Sequence, residues 1–381
     1  MIRPLFWISI ASLFYTYAGY PVAVWLLGRL RNLKVAKADI SPRVSVVIAC
    51  HNEASNIAAR IKNILESDYP TELLEIIIVS DGSTDLTPDV ARRCAANRAQ
   101  VIAYDRQAGK ATALNLGAEG ASGEVIIFAD ARQRFEADAI KVLVSNFADP
   151  RVGAVTGELL LDGNQGAGEG VGLYWKYEKW IRKSESRFNS VIGATGAIYA
   201  VRRKLWQPLP QETILDDVYT PMRIALAGNR VVFEEKARAH DRVADSAGRE
   251  FSRKVRTLTG NYQLCQLMPR LLLPTNVLIF QFYSHKLMRL AAPIFFLILL
   301  ASNLAIVALP RSAEDRLFYS ASLAAQIIFY ASVMAGGYLL KRNRKARLLS
   351  FAYVFSVMNA AALVGLIYFI LGKRDVWVRV K

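Results

Sequence analysis

Polar side chains follow several apolar runs in the first 130 residues, at the points where strands would end. Asn52 and Glu53 follow the first run, Asp81 follows the second and Asp130 follows the fourth. Carboxylates accept hydrogen bonds from N–H and hydroxyl groups, and their oxygens are ligands that divalent cations prefer. If these strands share one sheet, the side chains meet beyond its carboxyl edge, where ligands bind in doubly wound folds. The pattern therefore predicts a nucleotide site.

The elements that would position these side chains alternate between strand and helix. Four apolar runs are interpreted as strands, at residues 44–49, 76–79, 101–104 and 125–129. Helices are predicted from Ser55, from Thr87 and from Lys110. Such alternation is typical of an α/β domain with a mostly parallel sheet and helices on both faces.

Residue spacing excludes two phosphate-loop motifs. A dinucleotide fingerprint needs Gly-x-Gly-x-x-Gly after the first strand, where the chain has Cys-His-Asn-Glu at 50–53. A Walker A loop needs a glycine where the chain has Tyr104, ahead of Gly109. The glycines between 163 and 172 follow no strand-to-helix switch, so we expect a flexible loop there. Three cysteines are too few and too scattered for a disulfide framework or a zinc site.

The chain is both apolar and basic. Hydrophobic residues make up 53% of its 381 residues, and 48 Lys and Arg against 32 Asp and Glu give a formal net charge of +16. This composition excludes disordered, fibrous and small secreted proteins. Uncharged runs are concentrated at the two ends, over residues 5–27, 290–309, 317–340 and 348–371. Each run is long enough, as a helix, to cross a bilayer core of about 30 Å.

The first run predicts an N-terminal transmembrane helix within residues 1–30, because it is too long for a cleaved signal peptide. Arg3 alone precedes this run, whereas four basic residues follow it between positions 29 and 37. By the positive-inside rule, the N-terminus lies outside and the middle domain, residues 40–265, is cytoplasmic. The later runs predict transmembrane helices within residues 289–372. We therefore expect a multi-pass protein of the inner (cell) membrane.

Residues 270–288 are predicted as an interfacial helix, because Gln281, His285 and Lys286 interrupt their apolar side chains. Simple alternation of spans puts the C-terminus outside, whereas the basic tail 373–381 indicates the inside. Either the tail breaks the charge rule or one of the last runs is re-entrant, and the sequence leaves both open. We attribute the net charge to topology signals and to anionic inner-leaflet lipids, and not to nucleic-acid binding.

Seven short motifs lie in the middle domain. They are Ala-Cys-His-Asn-Glu at 49–53, Ser-Asp-Gly-Ser-Thr-Asp at 80–85, Gly-Lys-Ala-Thr-Ala-Leu-Asn at 109–115, Asp-Ala-Arg at 130–132, Gly-Ala-Thr-Gly-Ala-Ile-Tyr at 193–199, Ile-Leu-Asp-Asp-Val at 214–218 and Arg-Lys-Val-Arg-Thr at 253–257. Together they resemble the motifs of membrane-embedded, inverting family 2 glycosyltransferases, which include cellulose, chitin, hyaluronan and poly-N-acetylglucosamine synthases. The resemblance covers nearly the whole chain. It implies a cytoplasmic nucleotide-sugar domain of GT-A fold set against membrane helices.

The resemblance assigns several residues to the nucleotide-sugar donor. Asn52 and Glu53 would approach the nucleoside, and Asp81 would recognise the uracil and ribose edge. Lys110 would lie near the diphosphate, where a cation offsets developing negative charge. Each stretch also has a purely structural interpretation. Asp81 lies in a turn that would cap a helix, and Lys110 could be an exposed lysine at a helix start.

Asp130 and Arg132 occupy the place of the family's Asp-x-Asp motif, which holds Mg²⁺ or Mn²⁺ on the diphosphate. The second aspartate is replaced by Arg132, so a cation stands where a metal ligand is usual. Asp130 would contact the ribose, or reach the metal alone with the phosphates, and Arg132 would itself neutralise the diphosphate. The resemblance therefore implies a divalent ion, and the residue at position 132 weakens that expectation.

The resemblance also assigns the catalytic residues. Asp217 matches the general base that takes a proton from the acceptor hydroxyl, and Asp216 stands where the family has glutamate. Adjacent acids also suit a helix N-terminus. Arg256 matches the diphosphate-binding arginine of the Gln-x-x-Arg-Trp motif, and Arg253 adds charge, although the same basic run would suit an amphipathic helix on anionic lipid. Thr257 replaces the tryptophan that stacks on the acceptor sugar, which argues against processive synthesis.

These motifs predict an inverting glycosyltransferase that moves a sugar from a nucleotide donor, with UDP expected, to a hydroxyl of an extracellular polysaccharide or a glycolipid. Membrane lipids and export or accessory subunits are the expected partners. Two alternatives stay open: a single-transfer enzyme acting on a lipid or polyprenyl phosphate, and an inactive membrane scaffold of a polysaccharide export complex. Retention of Asp81, Asp130, Asp217 and Arg256 argues against the scaffold. His240 matches no motif and is interpreted as structural.

Overall fold

The structure, a computed structural model, describes residues 2–95, 98–162, 168–242, 247–309, 313–342, 344 and 346–372. The predicted basic tail 373–381 lies outside these residues, and so does the stretch 163–167 of the glycine-rich segment. The described residues form an α/β domain in the middle of the chain, with apolar helices before and after it.

One sheet of eight strands forms the centre of the α/β domain, counted over the described residues. The strands are β1 (Val44–Cys50), β2 (Leu74–Asp81), β3 (Ala99–Tyr104), β4 (Val125–Ala129), β5 (Arg134–Phe135), β6 (Val152–Asp162), β7 (Ile198–Arg202) and β8 (Arg230–Arg242). Their order across the sheet is β3-β2-β1-β4-β7-β6-β8-β5.

The sheet is mixed, with a parallel half and a half of both directions. β1 is parallel to β2 and β4, β2 to β3, and β6 to β8. β7 is antiparallel to β4 and β6, and β5 is antiparallel to β8. The predicted parallel arrangement therefore holds for the four strands identified from the sequence and not for the rest. Apolar runs identify strands but do not encode their direction.

Helices flank the sheet and form both ends of the chain. They are α1 (Ile2–Phe14), α2 (Tyr20–Arg31), α3 (Ile57–Leu65), α4 (Thr87–Ala95), α5 (Lys110–Glu119), α6 (Ala139–Ser145), α7 (Gly168–Phe188), α8 (Asp216–Leu226), α9 (Ala247–Leu267), α10 (Ile279–Gln281), α11 (Met288–Ala308), α12 (Ala313–Lys341) and α13 (Arg347–Ile370). π-helical turns at Tyr15–Gly19 and Phe282–Leu287 join α1 to α2 and α10 to α11.

Three glycines of the stretch expected to be a flexible loop lie in a helix instead. Gly168, Gly170 and Gly172 belong to the first turns of α7, so the expected loop is wrong for these positions. Packing along the rest of α7 offsets the low helix propensity of glycine, because helices in proteins are stabilised mainly by their buried faces. Ile181 of α7, for example, is fully buried against α2.

Both faces of the sheet are buried, which explains the continuous apolar runs of its strands. Successive side chains of a strand point to opposite faces. Val47 and Phe128 are buried on the face covered by α5 and α8, whereas Ile48 and Ile78 are buried on the face covered by α3 and α6. Full burial of such a side chain stabilises the fold by about 1.5–3 kcal/mol. This core fixes the sheet edge at which the polar residues lie.

Four helical segments of the described chain are long and apolar enough to cross a membrane. They are Ile2–Arg31, Ile279–Ala308, Asp315–Lys341 and Arg347–Ile370. The uncharged runs predicted as spans coincide with these segments. Phe6 of α1 packs with Ala292 of α11 and Tyr319 of α12, so the N-terminal segment lies among the C-terminal helices.

The interfacial helix predicted over residues 270–288 is not a separate element. A short 3₁₀ turn ends at Leu272, and the helix that begins at Ile279 continues through its π-helical turn into α11. Two of its polar residues, Gln281 and His285, face protein. Gln281 donates to the Ser190 carbonyl at 3.3 Å, and His285 is buried. Two of the polar residues from which an interfacial helix was predicted thus contact the α/β domain.

α9 lies between the α/β domain and the C-terminal helices. On one side, Gly260 approaches Ile214 and Leu215 so closely that a larger side chain would collide with them. On the other side, the Thr259 hydroxyl donates to the Gly365 carbonyl of α13 at 3.3 Å. α9 therefore holds the segment that leads into α8 against the apolar helices.

Candidate active site

Asn52 ties the loop after β1 to the loop after β2. Its side-chain oxygen accepts a hydrogen bond from the Thr84 N–H (2.8 Å), and its own N–H donates to Ser83 Oγ (3.1 Å). The φ angle of Asn52 is +55°, in the left-handed region that Asn tolerates better than most residues. The Glu53 N–H donates to Thr87 Oγ1 at 2.8 Å. The two residues predicted to meet the nucleoside are thus fixed beside the loop after β2.

Asp81 is buried at the end of β2, and its carboxylate holds the loop that precedes α5. It accepts hydrogen bonds from the Tyr104 hydroxyl (2.8 Å), the Ala108 N–H (2.7 Å) and the Gly109 N–H (3.0 Å). Gly109 has a φ of +94°, which favours glycine. Asp81 therefore positions Lys110, the first residue of α5. The sequence predicted a role for Asp81 in nucleoside recognition, but it did not predict these contacts with the loop before α5.

The Lys110 ammonium joins two parts of the fold. Its Nζ lies 3.1 Å from Asp130 Oδ1, just after β4, and 3.4 Å from Asp216 Oδ1, at the start of α8. Burial acts to lower the pKa of Lys110, but the charges of Asp130, Asp216 and Asp217 raise it overall. Lys110 is therefore a cation at neutral pH, and it connects the strand-end residues with the Asp216–Asp217 pair.

Asp217 faces the small-residue loop before β7. Its Oδ2 accepts a hydrogen bond from the Gly196 N–H at 2.9 Å. Burial and the charge of Asp216 raise the pKa of Asp217 to about 6, against the opposing effects of the Lys110 and Lys286 charges. A carboxylate with a pKa near the working pH suits a general base. The structure thus brings together Lys110, Asp130, Asp216 and Asp217, as the motifs predicted.

Arg132, in the place of the second acid of the Asp-x-Asp motif, is held by Asp241 of β8. Its Nε and Nη2 donate to the two carboxylate oxygens of Asp241 at 3.1 and 2.8 Å, and Gln133 donates to the same carboxylate at 3.0 Å. A bidentate pair of this kind is strong. The Arg132 charge is therefore shared with Asp241, and its role on the diphosphate stays a prediction. Asp241 belongs to no motif and lies 109 residues away in sequence, so it was missed.

The residues around Asp130 fit a divalent ion only together with substrate phosphates. No group of three or more His, Cys, Asp or Glu side chains is placed to hold a metal ion within the described part of the chain. The Asp130 carboxylate is paired with the Lys110 ammonium, 3.1 Å away. Mg²⁺ is commonly held by one or two carboxylates plus substrate phosphates. The donor set therefore suits an ion shared by Asp130 and a bound diphosphate, and not an ion held by the protein alone.

Arg253 and Arg256 lie on α9. Gly260, one turn after Arg256, contacts Ile214 ahead of α8, and residues four apart share a helix face. Gln263 on the same face accepts a hydrogen bond from the Ile214 N–H at 3.0 Å. Arg256 is half-buried and Arg253 is exposed. The fold thus directs Arg256 to the side of α9 that meets the entry to α8, and leaves Arg253 at the surface.

His240 makes contacts of the structural kind expected for it. Its ring nitrogens lie 2.8 Å from Asp162 Oδ1 and 3.2 Å from Glu136 Oε1. The hydrogen bond with Asp162 is the largest of the effects that raise the pKa of His240. These contacts tie β6 and the segment after β5 to β8, next to the residue that holds Arg132.

Comparisons with known proteins agree with this geometry. The model of glycosyl transferase family 2 matches residues 45–207. Poly-beta-1,6-N-acetyl-D-glucosamine synthase of Staphylococcus aureus strain COL is 26% identical over 271 residues, which cover 64% of each chain. The protein of the same name from Staphylococcus epidermidis is 24% identical over 229 residues, covering 58% of this chain and 55% of its own. The chain thus matches less than two thirds of the length of these relatives.

A solved structure is similar over nearly the whole chain. It is the mannosyltransferase PcManGT from Pyrobaculum calidifontis, in complex with GDP-Man and Mn²⁺. The alignment covers 97% of this chain and 99% of the mannosyltransferase chain, with a TM-score of 0.74 and 23% sequence identity. At this identity the likeness is one of fold. The GT-A fold implied by the motifs is confirmed, as an α/β domain with a mixed sheet.

Proposed function

Residues 45–207 form a glycosyl transferase family 2 domain, and from this premise we propose that the chain is an inverting glycosyltransferase. It moves a sugar from a nucleotide-sugar donor to an acceptor hydroxyl. The observation that carries the proposal is the Lys110 ammonium, which bridges Asp130 to Asp216 beside Asp217. A single displacement needs a cation near the leaving group and a base near the nucleophile. Lys110 and Asp217 would supply them in one cluster of side chains.

Residues at the carboxyl edge of the sheet bind the donor. Asn52, Glu53 and Asp81 line the nucleoside position, and Lys110 and Arg256 offset the charge of the departing diphosphate. A bound Mg²⁺ or Mn²⁺ ion, held by Asp130, would supply further positive charge to the diphosphate. UDP is the expected carrier. GDP is the other one to test, because the aligned mannosyltransferase was solved with GDP-Man.

The transfer is one in-line displacement. A bond forms between the acceptor oxygen and the anomeric carbon, while the bond from that carbon to the phosphate oxygen breaks and the nucleoside diphosphate leaves with the electron pair. The hydroxyl proton passes to Asp217. Because the pKa of Asp217 is raised only to about 6, its carboxylate is mostly free of a proton at pH 7. Attack from the face opposite the leaving group inverts the anomeric configuration.

The acceptor belongs to an extracellular polysaccharide or a glycolipid. The curated relatives are named as synthases of a polysaccharide, and a polymer product would require export or accessory subunits as partners. We place the α/β domain on the cytoplasmic side of the inner (cell) membrane, as a multi-pass protein. The support is the basic segment between positions 29 and 37, together with four helical segments of sufficient length and hydropathy.

A single transfer to a lipid-linked acceptor is a second candidate, and Thr257 favours it. Thr257 is exposed on α9, and its hydroxyl donates to the Arg253 carbonyl at 2.9 Å. It stands where processive relatives have a tryptophan. A threonine offers no ring on which a terminal sugar of a growing polymer could stack.

Nucleotide release tests the proposal. The purified chain in lipid would be given a panel of UDP- and GDP-sugars, with Mg²⁺, with Mn²⁺ and with a chelator. We expect release from one donor, and weaker donor binding with the chelator. Release by an Asp217→Asn variant at the wild-type rate would contradict the assigned base. If no donor releases nucleotide when a lipid extract is present as acceptor, the result would favour the inactive scaffold.

A further inference from the structure

α7 presents a stripe of ionisable side chains to the π-helical turn Phe282–Leu287. Tyr174, Glu178, Arg182 and Glu185 recur at helical spacing, so they share one face of α7. This face meets the turn directly. His285 Nδ1 lies 2.7 Å from Glu185 Oε1, and His285 Nε2 lies 3.3 Å from Glu178 Oε2.

The two carboxylates of this stripe already have other partners. Glu178 is paired with Arg289 as well as with His285. Glu185 accepts a hydrogen bond from the Tyr20 hydroxyl at 2.6 Å in addition to its contact with His285. Arg289 and His285 thus already face both acids of the stripe.

Two further cations in the same place have no carboxylate as close as those of His285 and Arg289. Arg182 lies between Glu178 and Glu185 on α7, and Lys286 follows His285 in the π-helical turn. Both are half-buried. Neither makes a hydrogen bond, nor has a carboxylate within 4 Å, among the residues that the structure describes. Partial burial of like charges is unfavourable without a counter-ion, so this pair of cations is suited to an anionic ligand.

Of the two cations, Lys286 lies nearer to the proposed base. Phe282 and Leu287, at the two ends of the π-helical turn, pack against the core that includes Leu215 and Val218, on either side of the Asp216–Asp217 pair. The Lys286 charge is close enough to Asp217 to act on its pKa. π-helical turns inside longer helices are frequent at functional sites. This turn therefore brings Lys286 from the start of an apolar segment to the acceptor side of the site.

We propose that Arg182 and Lys286 form an anion-binding subsite that takes the phosphate of a lipid-linked acceptor, whose hydroxyl then reaches Asp217. The inference rests on the proposed function and narrows its acceptor to a phosphate-bearing lipid. Guanidinium and ammonium groups are the side chains that recognise phosphate. Lys286 also lies within the first turns of the apolar segment Ile279–Ala308, which is long and apolar enough to cross a membrane. A neutral polysaccharide would bring no anion to either cation.

Binding of farnesyl phosphate tests the subsite. The full chain in neutral detergent would be titrated with farnesyl phosphate, with farnesol and with inorganic phosphate. Arg182→Gln and Lys286→Gln each remove one charge and should weaken farnesyl phosphate binding about tenfold. Lys286→Arg keeps the charge and should bind nearly as the wild type does. Lys176→Gln, on the exposed face of the same helix, is the matched control and should have no effect.

Each outcome bears on the subsite. Farnesyl phosphate that binds no tighter than farnesol, or equally well to the Gln variants, would overturn it. Inorganic phosphate that binds as tightly as farnesyl phosphate would overturn the lipid part. UDP and GDP affinities are measured on the same variants and should not change. If they fall, the cations serve the donor diphosphate and the proposal is wrong. Charge-dependent farnesyl phosphate binding by a chain that releases nucleotide from no donor, even with the lipid extract present, would overturn the proposed function and leave the subsite.

Discussion

The proposed site has a donor half and an acceptor half, which differ in whether their polar groups already have hydrogen-bond partners. In the donor half, formed by the loops after β1, β2 and β3, Asn52 and Asp81 have their hydrogen bonds filled by neighbouring backbone N–H groups and hydroxyls. In the acceptor half, formed by α7, the start of α8 and the π-helical turn, this is not so. Asp216 Oδ2 is buried without a hydrogen-bond partner among the described residues, and Lys286 has no counter-charge within 4 Å there.

This difference indicates how the two halves are built. The donor half is formed by consecutive elements of one parallel half-sheet, so it is complete before a ligand arrives. The acceptor half needs groups from segments more than 100 residues apart, as the contact between Glu178 and His285 illustrates. Buried polar groups without partners are costly, so a ligand that pairs with them would stabilise this half. We therefore expect donor binding and acceptor binding to respond to different substitutions.

The largest effect is expected for Asp217→Asn. The amide keeps the size of the side chain but cannot take a proton, so transfer should fall by about 10²–10⁴-fold. Donor affinity should stay within about threefold, because Asp217 lies in the acceptor half. Transfer is measured with radiolabelled donor sugar. The control is Asp138→Asn, which changes an exposed acid at the start of α6. Wild-type transfer by Asp217→Asn would show that Asp217 is not the base.

Lys110→Met is expected to be next in size. Removal of the ammonium takes away charge stabilisation of the leaving diphosphate and leaves Asp130 and Asp216 facing each other, so turnover should fall by about 10²–10³-fold. Unlike Asp217→Asn, it should also weaken nucleotide binding. Lys62→Met, an exposed lysine of α3, serves as control. Unchanged turnover would mean that Lys110 is only a structural residue.

The pH dependence of transfer sharpens the assignment of the base. With the pKa of Asp217 raised to about 6, the rate should fall about tenfold per pH unit below that value and level off above it. The same shift affects stability with a definite sign. A carboxyl whose pKa rises on folding, from 3.8 to about 6, binds its proton more tightly in the folded protein, so stability decreases as the pH rises through this window. A flat rate profile from pH 5 to 8 would contradict the assignment.

Arg132→Ala tests the pair that replaces the second metal ligand. It leaves the buried Asp241 carboxylate without its bidentate partner, and because the Arg132 side chain is 45% exposed we expect a loss of about 1–3 kcal/mol. Thermal unfolding in detergent measures it. Adding Asp241→Asn should recover part of the loss. Arg134→Ala, at a neighbouring exposed residue, is the control. Equal unfolding temperatures for Arg132→Ala and Arg134→Ala would show that the Arg132–Asp241 pair does not stabilise the fold.

The smallest effect concerns the metal ion. If Asp130 holds an ion only with the diphosphate, Mn²⁺ alone should bind no more tightly than about 1 mM, in the range of weak carboxylate sites, and should bind more tightly once UDP or GDP is present. Calorimetric titration with and without the nucleotide measures this. Tight binding of Mn²⁺ to the nucleotide-free chain would show ligands beyond Asp130.

The sequence indicated the strand ends and the Asp216–Asp217 pair, but not the contacts that surround them, for a physical reason. β1, β2 and β4 and the polar residues that follow them are local signals, because apolar runs and strand ends are encoded by neighbouring residues. Asp241, which holds Arg132, and Lys286, which stands near Asp217, depend on contacts across more than 60 positions and on no motif. The direction of β7 and the helical state of Gly168–Phe188 likewise depend on tertiary packing. His285 suggested a membrane surface from its polarity, whereas its partners lie on α7.

Nucleotide binding to four variants tests the division of the site most directly. Asp81→Asn and Lys110→Met alter the donor half, whereas Asp217→Asn and Lys286→Gln alter the acceptor half. Each would be titrated with the active nucleoside diphosphate and assayed for transfer in the same preparation. We predict that the first two lose nucleotide affinity, and that the last two keep it while transfer falls. Loss of nucleotide affinity in Asp217→Asn and Lys286→Gln, to the extent seen in the donor-half variants, would contradict the account.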